Sequence, residues 1–307
     1  MEMNKCPVCQ SEGFVEQCLQ CGWYVQPHWS EEEKQLRLKE RIDIWYEDEI
    51  EFPEPDQVWA QENAQPTTPY PMRRIEGCTF IMGSSVDEEG RDSDEQQHSV
   101  TVSRSFWIGL TEIPQDLWME VQLHNPSVFF GIRRPADSVT WFDAVQFCNR
   151  YSKKMGFEPV YEIQGKVVIW NREANGFRLP TEAEWELSSR ISRAEHFENP
   201  NYAWFQENSD WSTRSITVPK EGEFLDFAGN VWEWCWDYYE IFTEEGECDP
   251  VGPSMGEFRV LKGGSYIDDV RVLRPANRAY SEPLQSSDSI GFRVVRNASN
   301  DDSSSNI

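Results

Sequence analysis

Four cysteines lie close together near one end of this chain. Residues 6–21 read CPVCQSEGFVEQCLQC, which places Cys6, Cys9, Cys18 and Cys21 in two Cys-x-x-Cys knuckles separated by eight residues. Each knuckle lets two thiolates converge on one cation, and four thiolates close a tetrahedral structural zinc site. Gly22 supplies the tight turn that follows. Two disulfides are the alternative, and they need an oxidising compartment that nothing else in the chain supports. With every coordination position filled by sulfur, such a ribbon is structural or a docking module. The other cysteines, Cys78, Cys148, Cys235 and Cys248, are scattered and read as reduced thiols in or near a core.

The remaining candidate chemistry is thin. His28, His98, His124 and His196 are isolated, with no two at ligand spacing on a helix, and read as surface or packing residues. Asp87–Gln97 is an acidic loop whose spacing lacks the pattern of a helix-loop-helix calcium site, so it reads as solvated. No Ser, His and carboxylate set forms a recognisable nucleophile elbow.

The elements that must position any site centre on Asp226–Val294. This stretch reads DFAGNVWEWCWDYY, then RVLKGGSYIDDVRVLRPANR, then SIGFRVV. Trp232, Trp234 and Trp236 are anchors for a small β-rich domain. Gly-Asn and Gly-Gly pairs allow left-handed backbone close to other segments. Short β-type runs at Phe258–Lys262 and Ile290–Val295 bracket the polar segment Ser265–Ser289. A rigid frame holding out an irregular polar loop is where binding and catalysis usually sit.

The chain of 307 residues fits one large domain plus a small one. Its formal net charge of −26 argues against a general nucleic-acid or anionic-membrane binder, because phosphate binding needs basic surface. No run approaches a membrane span and no signal-peptide pattern is present, so the expected localisation is cytoplasmic. The expected organisation is a zinc ribbon at 1–27, a helix within 28–47, an acidic Pro-rich linker at 48–69, a main domain at 70–297 and a disordered tail at 298–307. In the second segment, Ser30 with Glu33 forms a capping box and Leu38, Ile42 and Trp45 fall at helical spacing.

Within the main domain, Cys78–Gly83 reads as a strand ending in a turn, and Ser99–Ile108 alternates as a strand. Gln115–Leu123 and Trp141–Met155 read as helices, the second turning Phe142, Val145, Phe147 and Cys148 inward. Val160–Trp170 reads as a hairpin turning at Gln164-Gly165. Thr181 with Glu184 is a capping box that opens a further helix.

The ordered motifs FIMGSS, FWIGLTEIPQDLW, HNPSVFFG, VTWFDAVQFCNRYS, GFRLPTEAEWE, FAGNVWEWCWDYY, VLKGGSY and IGFRVV resemble the formylglycine-generating-enzyme (sulfatase-modifying factor) family over about residues 70–297. The resemblance implies an α+β, C-type-lectin-like fold with little regular secondary structure. Enzymes of that family oxidise a substrate cysteine to an aldehyde with copper, using a cysteine pair shortly after the Gly-Gly-Ser motif. Here the segment after Gly263-Gly264-Ser265 has no cysteine, and none occurs after Cys248. Ser265 and Trp234 match family positions near the active groove but cannot replace soft thiolate ligands. A branch that makes sulfur-containing histidine derivatives needs a separate His-rich helical domain, which is missing from this sequence.

A third branch, the variable proteins of diversity-generating retroelements, displays a C-terminal surface on this scaffold. The spacing of GGSY, IDDVRV, LRPANR, AYSEPLQSSDS and IGFR is similar to theirs. The resemblance implies a frame of Leu273, Arg274, Ala276, Asn277 and Arg278. It implies a ligand-binding surface of Tyr266, Ile267, Asp268, Asp269, Val272, Ala279, Tyr280, Ser281, Ser286, Ser287, Asp288 and Ser289, with Tyr266 and Tyr280 as anchors. The resemblance to the family as a whole implies calcium at Ala228, Gly229, Val231 and Glu233, with Asn208 and Asp210 as weaker candidates for a second site. The alternative for Glu233 is a buried carboxylate held by backbone N–H groups or an arginine.

The expected function is therefore a non-catalytic module that binds a protein or peptide, with the zinc ribbon docking into a larger assembly. The rival is a metal-dependent oxidoreductase or a formylglycine-generating enzyme with an unrecognised metal site. Elemental analysis of the purified protein is expected to find about one zinc per chain and no stoichiometric copper or iron. Cys9→Ser is expected to lower the zinc content.

Overall fold

The computed structural model describes residues 70–196, 203–216 and 227–298. The ribbon cysteines, the helix expected within 28–47 and the linker lie outside the described residues, as do His28 and positions 299–307.

Short strands and few helices make the domain. One sheet runs in the order β1 (Met72–Ile75), β4 (Phe106–Gly109), β13 (Val295–Asn297) and β7 (Phe177–Arg178). A second runs β11 (Ala279–Ser281), β10 (Arg259–Lys262), β8 (Trp232–Tyr238) and β12 (Ile290–Gly291). A three-stranded sheet joins β2 (Thr79–Met82), β3 (His98–Thr101) and β9 (Glu247–Cys248). The hairpin β5 (Tyr161–Gln164) and β6 (Val167–Trp170) stands apart. Its Gly165 is at φ 61°, in the left-handed region that a two-residue turn needs.

Among the described residues the α-helices are α1 (Gln115–Gln122), α2 (Trp141–Lys154) and α3 (Glu182–His196). Thr181 and Glu184 cap α3 reciprocally, the Glu184 N–H donating to Thr181 Oγ1 at 3.2 Å and the Thr181 N–H to Glu184 Oε2 at 2.9 Å. Thr140 and Asp143 do the same for α2. On α2, Val145, Phe147 and Cys148 are buried as expected, whereas Phe142 is only half-buried.

Two expectations need correction. Ser99–Ile108 is not one strand. Its ends, β3 and β4, belong to different sheets, and the Val102 N–H donates to Cys78 O as the chain crosses between them. The scattered cysteines also divide: Cys148 and Cys235 are in the core, but Cys78 and Cys248 are exposed.

The core is aromatic. Trp118 stacks on Phe147 with centroids 5.5 Å apart, and Phe292 meets both rings edge-on. A second cluster gathers Val100, Phe106, Ile108, Trp185, Val260 and Val295. Between them sits an ion pair. Arg293 donates from Nε and Nη2 to both oxygens of Glu233, each at 2.6 Å, and from Nη1 to Gly109 O at 3.0 Å. Trp185 Nε1 donates to the same carboxylate at 2.7 Å, and the guanidinium lies 3.7 Å from the Phe227 ring centre. Both residues are fully enclosed.

Removing one member leaves the other charge buried and alone, so Glu233→Gln is expected to cost about 3–5 kcal/mol in urea unfolding. The double variant Glu233→Leu with Arg293→Met is expected to recover most of that loss.

Candidate functional site

The segment after β10 begins with two glycines in the left-handed region, Gly263 at φ 102° and Gly264 at φ 76°. A Cβ on Gly264 would lie 2.5 Å from Leu273 Cδ2, so side chains are excluded on steric as well as conformational grounds. The turn directs the next residues inward. The Ser265 N–H and Oγ both donate to Asp268 Oδ2, at 2.9 and 2.5 Å. Tyr266 is 1% exposed, its ring edge-on to Phe129 at 5.1 Å. Its N–H donates to Asn230 O and its carbonyl accepts from Ser209 Oγ at 2.7 Å. Tyr266 is thus a core residue and not an outward anchor.

Asp269 is exposed and caps the 3-10 turn Val270–Leu273, accepting the Arg271 N–H and Nε–H at 2.9 and 2.8 Å. The Asp268 carbonyl accepts the Gln206 N–H at 3.0 Å, which ties the segment to 203–216. The apolar residues that face solvent in the first half are Ile267, at 42% exposure, and Val270.

The LRPANR run forms the frame, and Leu273, Arg274, Ala276, Asn277 and Arg278 are all buried. Arg274 donates to both oxygens of Glu95, at 2.7 and 2.6 Å, to Glu88 Oε1 at 3.0 Å and to Gly90 O at 2.6 Å. Arg278 donates to both oxygens of Glu182, at 2.7 and 2.9 Å, and to Asp94 O at 3.0 Å. Its guanidinium lies over Phe242 and Tyr239. The acidic loop is solvated over most of its length, but not at Glu95. Glu95 is fully enclosed, and the loop is the counter-charge of the frame. Burial alone would raise the Glu95 carboxyl, but hydrogen bonds from Arg274 and Ser84 outweigh it and hold the group below the usual carboxylate range.

After the frame, Tyr280 is 51% exposed and rests on Tyr239 and Phe258, with centroids 4.4 and 5.0 Å away. Tyr239 is itself fixed by its hydroxyl, which donates to Asp94 Oδ2 at 2.6 Å. Ala279, Ser281 and Val272 are half-buried, as are Ser286, Ser287 and Asp288. Ser289 is buried, and its carbonyl accepts the Trp232 N–H. Leu284 is exposed. The outward apolar set is thus Ile267, Val270, Tyr280 and Leu284. Sequence reasoning missed Val270 and Leu284, although each is an apolar residue in a polar run. It also missed Trp211, which is 58% exposed and whose N–H donates to Ser209 Oγ beside the Tyr266 carbonyl.

The metal expectations fare differently. The Glu233 carboxylate is turned to Arg293 and Trp185, so the arginine-held alternative describes it and its oxygens are not offered to calcium. Ala228, Gly229 and Val231 are buried; the Ala228 carbonyl accepts the Trp204 N–H at 3.3 Å and the Gly229 N–H donates to Gly263 O at 2.9 Å. Asn208 bonds to the Phe205 N–H and Ala203 O, and Asp210 pairs with Arg214. Burial pushes the Cys148 and Cys235 thiols up, away from the thiolate form. Trp234 and Ser265 are fully enclosed. Among the described residues no three His, Cys, Asp or Glu side chains are grouped to hold a metal ion.

A carboxyl held low contributes stability above its unfolded value, about 4.3, and loses it as pH falls through the folded value. Acidification is therefore expected to open the contact between the acidic loop and the frame. At neutral pH, Glu95→Gln is expected to weaken that contact by on the order of 3 kcal/mol. Hydrogen exchange should then quicken across residues 88–96 and 270–278 while β8 and β10 stay protected.

Comparison with known proteins places this geometry. Chaperone protein LppX of Paenibacillus barcinonensis is 31% identical over 245 residues, covering 66% of this chain and 84% of that protein. The formylglycine-generating enzyme of Streptomyces coelicolor is 33% identical over 153 residues, 40% of this chain, and the match spans 48% of the enzyme's length. The structure of Treponema denticola variable protein 1 superposes with a TM-score of 0.65 and 28% identity, covering 74% of this chain and 95% of that one. The family of the sulfatase-modifying factor enzyme 1-like domain matches residues 57–298, and the chain belongs to that family.

Proposed function

We propose that residues 70–297 are a non-catalytic, C-type-lectin-like scaffold that binds a protein or peptide through the 265–289 surface. The observation that carries this reading is the division of labour in that segment. Its frame arginines Arg274 and Arg278 are spent inward on Glu95 and Glu182, Arg271 pairs with Asp269 at the surface, and the apolar side chains Ile267, Val270, Tyr280 and Leu284 are presented outward. A fixed aromatic anchor among adaptable polar groups is how paratopes gain affinity at low ordering cost. The likeness to a variable protein and to a protein named as a chaperone supports binding over chemistry. The zinc ribbon at residues 1–27 is the second part of the proposal and docks the chain into a larger assembly.

Likeness to formylglycine-generating enzymes favours the rival reading, a cysteine-oxidising enzyme. It would need a metal set other than the thiolate pair, since no cysteine follows Cys248.

Peptides selected from a displayed library on the full chain are expected to lose at least about tenfold in affinity on Tyr280→Ala. They are expected to be unaffected by Met255→Ala, an exposed position outside the segment. Equal binding to both variants would count against the surface. Incubation of cysteine peptides with the chain, copper and oxygen is expected to yield no aldehyde in a hydrazide capture; aldehyde would restore the enzyme reading.

A further inference from the structure

A cleft of about 240 Å³ opens beside β8; Arg278, which lines it, lies over Tyr239, the ring against which Tyr280 rests. Met82, Phe242 and the exposed Ile241 give it apolar walls, and Asp237, Glu182, Glu240 and Glu247 give it acidic ones. Asp237 is 4% exposed. Its Oδ2 accepts the Glu182 N–H at 2.9 Å, at the start of α3. It has no ion-pair partner among the described residues.

Of the cations around it, Arg259 feels its charge without forming an ion pair, and the others are committed elsewhere. Arg278 is spent on Glu182, and Lys262 faces Glu182 and Glu186 at 3.7 and 3.3 Å. Arg259, on the neighbouring strand, lays its guanidinium on the rings of Trp141 and Tyr238 at 3.8 and 3.4 Å. A buried carboxyl that lines a cleft and lacks a counter-ion is the complement of a cation delivered from outside. The aliphatic walls suit a long stem that carries the cation at its tip.

We propose that this cleft is a subsite for one basic side chain, lysine or arginine, of the protein bound at the 265–289 surface. The stem lies along Met82 and Phe242 and the charged tip reaches Asp237. The biological use of the cleft rests on the recognition reading; its chemistry stands on the geometry alone. Burial, and then the charge of Glu182, push the Asp237 carboxyl up to about 8. An incoming cation would therefore displace a proton. Glu182 and Glu184 on α3, His98 on β3, Arg259 on β10, and Arg278, Glu240 and Glu247 are the other charged or titratable groups that face or surround it.

The test uses the full chain and three capped probes, the Nα-acetyl methylamides of lysine, arginine and norleucine, followed by calorimetry. The lysine or arginine probe is expected to bind at least about tenfold more tightly than norleucine. Asp237→Asn keeps an acceptor for the Glu182 N–H and is expected to fold, yet to lose about tenfold in affinity. Ile241→Lys, at an exposed lining position, supplies a competing cation and is expected to weaken the probe as well. Affinity is expected to rise from about pH 6.5 to about pH 9, and the rise to vanish in Asp237→Asn. Equal binding of norleucine, unchanged binding to Asp237→Asn, or a flat pH profile would overturn the subsite, while leaving Tyr280-dependent binding of selected peptides intact. Probe binding with no peptide binder for the 265–289 surface would keep the subsite and remove the recognition reading.

Discussion

A fully enclosed guanidinium is costly unless a carboxylate meets it, and Arg293 with Glu233 is where this chain answers that constraint most completely. The pair joins motifs sixty residues apart, the SIGFR run and the GNVWE run. It also recruits Trp185 from α3 and the Gly109 carbonyl from β4. Four otherwise separate pieces share one charge. Hydrophobic burial around it is generous but undirected; the two-pronged geometry is what sets the relative placement of the two larger sheets.

The same device recurs one layer out. Arg274 and Arg278 hold the 265–289 segment against Glu95 and Glu182, and Arg178 grips Glu184 at 2.6 Å. Glu182 and Glu184 both lie in the first turn of α3, where the helix dipole favours negative charge. One helix N-terminus therefore anchors both the frame of the 265–289 segment and strand β7. Against an acidic composition, Arg178, Arg274, Arg278 and Arg293 are placed inside, each with a carboxylate partner.

Local structure was legible because its signals are local. The Thr181–Glu184 box, the apolar spacing of α2 and the Gly165 turn all act within a few residues, and each element stands where those signals put it. The frame was legible as a motif. Its partner was not, because Glu95 lies 179 residues from Arg274 and nothing in an acidic run shows which carboxylate faces inward. Tyr266 was misjudged for a related reason. Two left-handed glycines reverse the direction in which the next side chains point, and a reading by residue type takes a tyrosine in a polar loop to be outward. The strand expected at Ser99–Ile108 failed because alternation sees only one segment, whereas at Val102, where the chain changes sheet, the backbone is tied to Cys78 on another segment.

The inward ties of the 265–289 segment leave its outward side chains with little part in holding the fold. Ile267, Val270 and Leu284 project from backbone that is held by other residues. Surface exchanges of this kind usually change stability by no more than about 0.5 kcal/mol. Such a segment can be rewritten at these points without endangering the domain that carries it. Change of surface chemistry and loss of fold are thereby uncoupled.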